Sequence, residues 1–297
     1  MISKYKFFNS NFAKKSKFHW EFIKNIEDLK TWYEYSNRFI NWQKQKNKIN
    51  KKRVEIPKIF HQIWLGDKPK PKYYEEFRDS WLIYNPEFEY ILWNEEKVKN
   101  LKLINQKLFN DLKNPGAKSD VLRYELLYKF GGIYIDTDFE CLKKIPLDFL
   151  AFNYLACMQF DNKPQVGNSI IFAQKNSNEL LDIIKSCKRP KEESTHDILN
   201  STGPNMLTKI TKKFLYNKDY NFLVLPSNYC FPIPSFLKDY DKDINFFITS
   251  DSFAIHHWKV SWMQNSHKTN IFKKIYSKFL RILFKSLKIL KNAKFNF

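Results

Sequence analysis

Residues 129–140 read KFGGIYIDTDFE, and the placement of that stretch decides the fold. Just upstream, SDVLRYELLYKFGG (119–132) has the pattern of a helix. Ser119 is a plausible N-cap, and Asp120, Arg123 and Leu127 fall along one side at i, i+3 and i+7. Gly131 stands where a left-handed C-terminal cap is wanted. IYID then leaves Gly132 as a strand, and a glycine there lets something approach the backbone closely. Alternate strand residues share a face. Ile133 and Ile135 are expected to face the core, and Tyr134, Asp136 and Asp138 to share the other side.

Two acids on one face repel unless a cation sits between them. Oxygen ligands suit a hard divalent ion, Mn²⁺ or Mg²⁺. The carboxyl end of a parallel strand is also where open α/β sheets bind ligands. Such an ion needs more ligands than two carboxylates provide, and a nucleotide diphosphate can supply them. An isolated Asp-x-Asp is most often a solvated turn; the buried strand before this one and the helix carrying Asp120 and Arg123 favour a site. Those two residues make either an i, i+3 helix ion pair or a clamp on hydroxyls and an oxyanion.

Working outward, KIFHQIWLG (58–66) is a short apolar run stopped by Gly66 and reads as a buried strand. YYEEFRDSWLIY (73–84) reads as a helix ended by Asn85-Pro86, and EFEYILWN (87–94) as a second strand. Strand, helix, strand with short links implies a parallel pair with a right-handed crossover. A helical stretch follows over about 95–113. Beyond residue 150 the pattern gives short strands near 153–159 and 169–174, helices at 177–187 and 203–216, a strand at 222–225, and a last strand in SFAIHHW (252–258). No internal repeat is present in the sequence.

The chain has 297 residues, 43% hydrophobic and 18% aromatic, a composition that excludes a mainly disordered protein. The net charge of +20 is placed unevenly. Residues 1–54 carry 14 Lys/Arg against 4 Asp/Glu, and residues 263–297 carry 9 Lys/Arg and no acid, whereas 55–262 is almost neutral with 28 against 27. A neutral middle argues against a nucleic-acid groove. Basic ends fit contact with an anionic membrane surface. Residues 20–50 read as a helix with Phe22, Ile26, Leu29, Tyr33 and Ile40 near one face. Residues 272–290 place Phe272, Ile275, Phe279, Ile282, Leu283 and Leu290 near one stripe with Lys and Arg opposite, the pattern of an interfacial helix. The expected organisation is a basic helical extension at 1–54, a catalytic domain at 55–262 and a basic amphipathic, membrane-associating tail at 263–297. Cys141, Cys157, Cys187 and Cys230 make no CxxC or zinc spacing and are expected to be reduced thiols. The first residues lack an apolar signal core and no run approaches a membrane span. The expected location is the cytoplasm, peripheral on the inner face of the membrane.

SDVLRYELLYKFGGIYIDTD resembles the signature of the family 32 glycosyltransferases, which contain a DXD sugar-binding region. IPKIFHQIWLG (56–66), STGPNML (201–207) and AIHHWKVSW (254–262) agree with it in the expected order. The resemblance implies an α/β fold of the GT-A type: a single nucleotide-binding domain with a mixed, mainly parallel sheet. It also implies a nucleotide-sugar donor, UDP-linked before GDP-linked, a divalent metal, and a saccharide or lipid-linked saccharide acceptor. By motif, Trp64 stacks on the base with Ile63 beside it, Asp120 and Arg123 hold the donor sugar, and Tyr134 and Asp136 contact ribose and sugar. Asp138, helped by Asp136, ligates the metal, and His256, less readily His257, reaches it from the last strand. Ser261 and Trp262 belong to a loop that closes over the donor, where Val260 replaces the glycine of many members. The family retains anomeric configuration, and the role implied is hexose transfer in capsule or lipooligosaccharide synthesis. Three other readings fit less of the sequence: a toxin-like effector that glycosylates a protein, a haloacid-dehalogenase-type phosphatase with Asp136 as nucleophile, and a basic binding protein without catalysis.

Overall fold

A computed structural model describes residues 26–45, 56–161, 163–235 and 247–259. In chain order its elements are α1 (Ile26–Gln45), β1 (Ile59–Ile63), α2 (Tyr73–Tyr84), β2 (Glu89–Trp93), α3 (Glu95–Lys99), α4 (Gln106–Asp111), α5 (Pro115–Phe130), β3 (Gly132–Ile135) and β4 (Phe139–Cys141). Then follow β5 (Tyr154–Asp161), β6 (Lys163–Ala173), α6 (Asn178–Ser186), α7 (Thr195–Ser201), α8 (Pro204–Phe214), β7 (Phe222–Leu225) and β8 (Ala254–His256). The main sheet runs β2-β1-β3-β6-β5-β7, and β4 pairs with β8 in a small second sheet. Pairs β1–β2, β1–β3 and β5–β7 are parallel, while β3–β6 and β5–β6 are antiparallel. This is the mixed, mainly parallel α/β sheet that the sequence implies.

The βαβ unit forms as expected, with β1 and β2 parallel from Ile59↔Glu89 to Ile63↔Trp93. Phe60 stacks on Phe88 at 4.5 Å, and Trp81 Nε1 on α2 donates to the Phe139 carbonyl at 3.0 Å, tying the crossover helix to β4. The 95–113 stretch is two short helices rather than one. The backbone N–H groups of Ile104 and Asn105 between them donate to the Glu125 carboxylate at 2.9 and 2.7 Å. That bond pins the break against α5.

Helix α5 begins earlier than the sequence reading placed it. Asn114, not Ser119, is its N-cap, accepting from the N–H groups of Gly116 and Ala117 at 2.8 and 3.3 Å, with Pro115 in the first turn. Asn is as good a cap as Ser, and Pro is favoured in the first turn, so these two outcompete Ser119. The helix ends at Gly131 as expected, with its N–H donating to Leu127 O, but φ +69° with ψ −170° is an extended glycine conformation and not the left-handed cap expected there. Gly132 has φ +105°, and a Cβ there would stand 2.6 Å from Ile59 O. What approaches its backbone is therefore strand β1, not a ligand.

Four further expectations change. On α1 the buried stripe is Trp32, Tyr35, Phe39 and Trp42, while Leu29, Tyr33 and Ile40 flank it. Tyr35 meets Phe222 of β7 edge-on, so 26–45 packs into the main core. The two short strands after residue 150 are one long hairpin, β5–β6, with a register shift between Ala156 and Met158. Helix α7, capped by Ser194, was not anticipated. Cys157 and Cys230 are joined as a disulfide, which corrects the expectation of four thiols; Cys141 and Cys187 are free. Parallel pairing sets Cys157 opposite Leu225, and the 3₁₀ turn Ser227–Tyr229 brings Cys230 back to it.

The basic runs, most of the extension, Ser261, Trp262 and the amphipathic tail lie outside the described residues. Among the described residues no helix is long and apolar enough to cross a membrane.

Candidate active site

The Gly131-Gly132 passage drops β3 directly from α5. Helix and strand therefore aim Asp120, Arg123 and Asp136 at one place. Arg123 is 5% exposed. Its Nη1 donates to Asp136 Oδ1 at 3.1 Å and to Asn168 O at 2.7 Å, and its Nε donates to Ser119 O at 3.1 Å. Its Nη2 stands 3.1 Å from Asp120 Oδ1, and its guanidinium lies 4.4 Å over the Tyr134 ring. Most of the five N–H groups of this guanidinium are thus committed to protein acceptors. Burial works against the charge, but Asp136, Tyr134 and Asp120 outweigh it and hold Arg123 protonated above its ordinary range.

Asp120 is buried as well. Asn168 Nδ2 donates to its Oδ1 at 2.8 Å, and Thr202 Oγ1 donates to its Oδ2 at 3.1 Å. Burial pushes its carboxyl up to about 6, against the pull of Arg123. Asp136 accepts from Tyr134 Oη at 2.5 Å, and its backbone is held by Ser169 O and by Gln62 Nε2. Burial keeps the Tyr134 hydroxyl protonated far above its usual range, so it acts as a donor to the carboxylate.

Strand β3 stops at Ile135, and Phe139 N donates to Asp136 O, so residues 136–139 form a turn. The two acids meet because the chain curls, not because they alternate on a strand as expected. Asp138 is 7% exposed. Lys259 N donates to its Oδ2 at 2.7 Å, and His256 Nε2 lies 3.2 Å from its Oδ1. Burial would raise its carboxyl, but the His256 imidazole and the Lys259 N–H prevail and hold it below the ordinary range. Ligand atoms of Asp136, Asp138 and His256 all lie within 4.8 Å of one another. His256 Nδ1 is buried without a hydrogen-bond partner.

His257 does not join this group, which corrects its candidacy as a ligand. Its Nε2 stands 2.9 Å from Glu140 Oε2 and its ring stacks on Phe77 at 4.4 Å. On antiparallel β4–β8, Phe139 faces His256, and the next residue turns to the opposite side. Trp64 follows β1 at the same end of the sheet, half-buried, with Nε1 donating to Lys68 O at 2.8 Å; Ile63 is buried. Gly66 N donates to Glu95 Oε1 at 2.6 Å and fixes the loop after Trp64.

Two polar partners were missed in the sequence. Asn168 binds Asp120 through its side chain and Arg123 through its carbonyl, and nothing in NSIIFA signals that role. Thr202 lies in STGPNML, where the resemblance marked the stretch without a role; a hydroxyl before a glycine and a helix start was the available clue.

Residues 71–157 match the family described as glycosyltransferase sugar-binding region containing DXD motif. Inositol phosphoceramide mannosyltransferase 3 of Schizosaccharomyces pombe is 25% identical over 224 residues, 69% of this chain and 60% of the relative. A mannosyl phosphorylinositol ceramide synthase of Saccharomyces cerevisiae is 31% identical over 169 residues, 54% of this chain and 42% of the relative. The chain thus spans 60% and 42% of the length of these two relatives. A solved structure, the catalytic domain of alpha-toxin from Clostridium novyi, is similar over 91% of this chain at 12% identity with a TM-score of 0.43. Asp120, Arg123, Tyr134, Asp136 and Asp138 all fall within the 71–157 stretch that matches this DXD-containing family.

Proposed function

We propose that the protein transfers a hexose from a nucleoside-diphosphate sugar to a hydroxyl of a lipid-linked or saccharide acceptor, with retention of configuration and with a divalent ion. The observation that carries this reading is the meeting of Asp120, Arg123, Asp136, Asp138 and His256, drawn from α5, the turn after β3, and β8. Two carboxylates and an imidazole within 4.8 Å are a donor set for a borderline-hard ion, and they suit Mn²⁺ better than Mg²⁺. The spare nitrogen of His256 and the depressed carboxyl of Asp138 fit a group that receives a cation. When bound, such an ion neutralises charge on a diphosphate leaving group.

The chain's own residues do the positioning. Arg123 holds Asp120 and Asp136 in fixed orientation, and the Tyr134 hydroxyl fixes Asp136. Preorganised charges of this kind need no rearrangement as the sugar–phosphate bond breaks. Asp120, clamped by Asn168 and Thr202, is the group for sugar hydroxyls. Trp64 offers an aromatic face for the base. Transfer on one face needs no protein nucleophile.

The names of the two fungal relatives concern mannosyl transfer to inositol phosphoceramide and synthesis of mannosyl phosphorylinositol ceramide. They support a glycolipid acceptor and make GDP-mannose a donor to test beside UDP-hexoses. The basic tail is read as a contact with anionic lipid on the inner membrane face, and surface glycolipid or polysaccharide assembly is the process that would use the product.

The test is a thermal-shift series with UDP-, GDP- and CMP-sugars, with and without Mn²⁺. A ligand at 100 times its Kd adds about 2.7 kcal/mol to the folded state. One nucleotide class should shift the protein, only with metal, and Asp138→Asn should abolish the shift. Equal shifts in the soluble, folded variant would overturn the metal assignment.

A further inference from the structure

Helix α2 holds the turn that carries Asp136 and Asp138, in part through a buried amide whose protons have only one arrangement. Register Phe60↔Tyr90 puts Tyr90 and Gln62 on the face of the sheet that α2 covers, where Phe60 meets Trp81 at 5.4 Å. Gln62 is 1% exposed. A primary amide on such a face costs desolvation that an apolar side chain would not. Both of its ends are used: Nε2 lies 3.3 Å from Asp136 O, and Oε1 lies 2.7 Å from Tyr90 Oη. Tyr90 Oη lies in turn 2.5 Å from Tyr74 Oη on α2. A carbonyl only accepts, so the amide turns its nitrogen to Asp136 O and its oxygen to Tyr90. Tyr90 then donates to Gln62, and Tyr74 donates to Tyr90. Burial raises the pKa of both phenols, so both keep the proton this arrangement needs.

The Asp136 carbonyl also accepts, at 3.2 Å, the Phe139 N–H that closes the turn. At the turn's other end, Phe139 O accepts from Trp81 Nε1 at 3.0 Å. Tyr74 and Trp81 fall at i and i+7 on one side of α2, and both are buried. Helix α2 thus grips both ends of the turn, Trp81 directly and Tyr74 through Tyr90 and Gln62. On the turn stand the carboxylates of Asp136 and Asp138, like charges that a cation would draw together. A turn free to relax would let them part.

We propose that Gln62 is a positioning residue for the cation, with Tyr90 setting its amide: it holds the Asp136 carbonyl so that the two carboxylates converge before the ion arrives. The proposal rests on the metal-dependent transfer reading and adds to it what preforms the ligand set.

Full-length Gln62→Met, Tyr90→Phe and the double variant test it against the unaltered protein. Mn²⁺ binding is read from the paramagnetic resonance signal of the free ion, with the metal alone and with UDP or GDP added, well below the unfolding midpoint of each variant. The dissociation constant for Mn²⁺ should rise about tenfold in Gln62→Met and about threefold in Tyr90→Phe. The double variant should match Gln62→Met within about twofold, because Tyr90 acts only through the amide. An unchanged Mn²⁺ constant in folded Gln62→Met, with or without a lowered unfolding temperature, would leave Gln62 a packing residue and overturn the proposal. Additive losses in the double variant would overturn the role of Tyr90. Should Gln62→Met not fold, Tyr90→Phe, which loses one oxygen, decides alone, and an unchanged constant there overturns the proposal. No Mn²⁺ bound by the unaltered protein under any of these conditions would overturn the metal assignment, and this inference with it. The expected pattern of constants in a protein that transfers no hexose would overturn the transfer reading and uphold the inference.

Discussion

His61 makes the protein's stability depend on pH in a window that few other groups share. Its ring is fully buried on β1. Trp93 Nε1 donates to its Nδ1 at 3.0 Å, and its Nε2 stands 2.8 Å from Gly131 O. One nitrogen must accept and the other donate, so the neutral ring is the form that fits. Burial lowers its pKa from 6.5 to about 4, the bond to Gly131 opposing only in part. Above the unfolded value both states are neutral and His61 costs nothing. As pH falls through 6.5 the unfolded chain takes the proton and the folded one does not, so stability is lost down to about pH 4. The loss is about 1.4 kcal/mol at pH 5.5 and about 2.6 kcal/mol at pH 4.5 by linkage. Glutamine at this position keeps an amide donor for Gly131 and removes the titration. Urea unfolding of the unaltered protein and His61→Gln, from pH 7.5 to 4.5, should give curves that converge by about those amounts as pH falls. His61→Gln will have its own constant packing penalty, which the slope does not contain. Parallel curves would show that the folded ring takes a proton as readily as the unfolded one, and would refute the neutral bridge between β1 and the glycine pair that launches β3.

Gly132→Ala should destabilise by about 3 kcal/mol or more, since φ is +105° and the new methyl would press on Ile59 O; urea midpoints check this, and a loss under about 1 kcal/mol would show that β1 can yield. Thr202→Val keeps the shape and removes a donor from buried Asp120 Oδ2. It should cost about 1–3 kcal/mol and weaken donor-sugar binding in calorimetry, whereas unchanged binding would detach Thr202 from the site. Asn114→Ala removes the cap that accepts two N–H bonds at the start of α5. It should cost about 1 kcal/mol by thermal unfolding without altering metal-dependent binding, and a neutral result would return the cap to Ser119.

The parts legible in the sequence are those set by neighbours along the chain. KIFHQIWLG, YYEEFRDSWLIY and EFEYILWN are a strand, a helix and a strand because each carries its own period and its own stop, and the parallel pairing follows from the crossover. Asp120 and Arg123 share a side because three residues on a helix always do. The site's remaining geometry depends on distant partners. Asp136 and Asp138 were expected to meet by strand alternation, but residues two apart on an extended strand are separated by about 6.6 Å along it. The turn over 136–139 gathers their oxygens instead, and it is closed by the Phe139 N–H and by the β4 pairing that starts there. That pairing also chooses between the two histidines. Register Phe139↔His256 stacks those rings at 4.6 Å and sends His256 Nε2 to Asp138, leaving His257 for Glu140 and Phe77. A slip of one residue would exchange their roles, because each step along a strand reverses the face. The sequence pattern of His256 and His257 is symmetric to such a slip. What breaks the symmetry is Trp258, whose Nε1 reaches Ile233 O and whose ring closes on His256 at 4.3 Å, with Phe231 on another side. An aromatic wall of that kind has room for one imidazole, and its members come from residues 139, 231 and 258, too far apart in the chain for any local period to announce them.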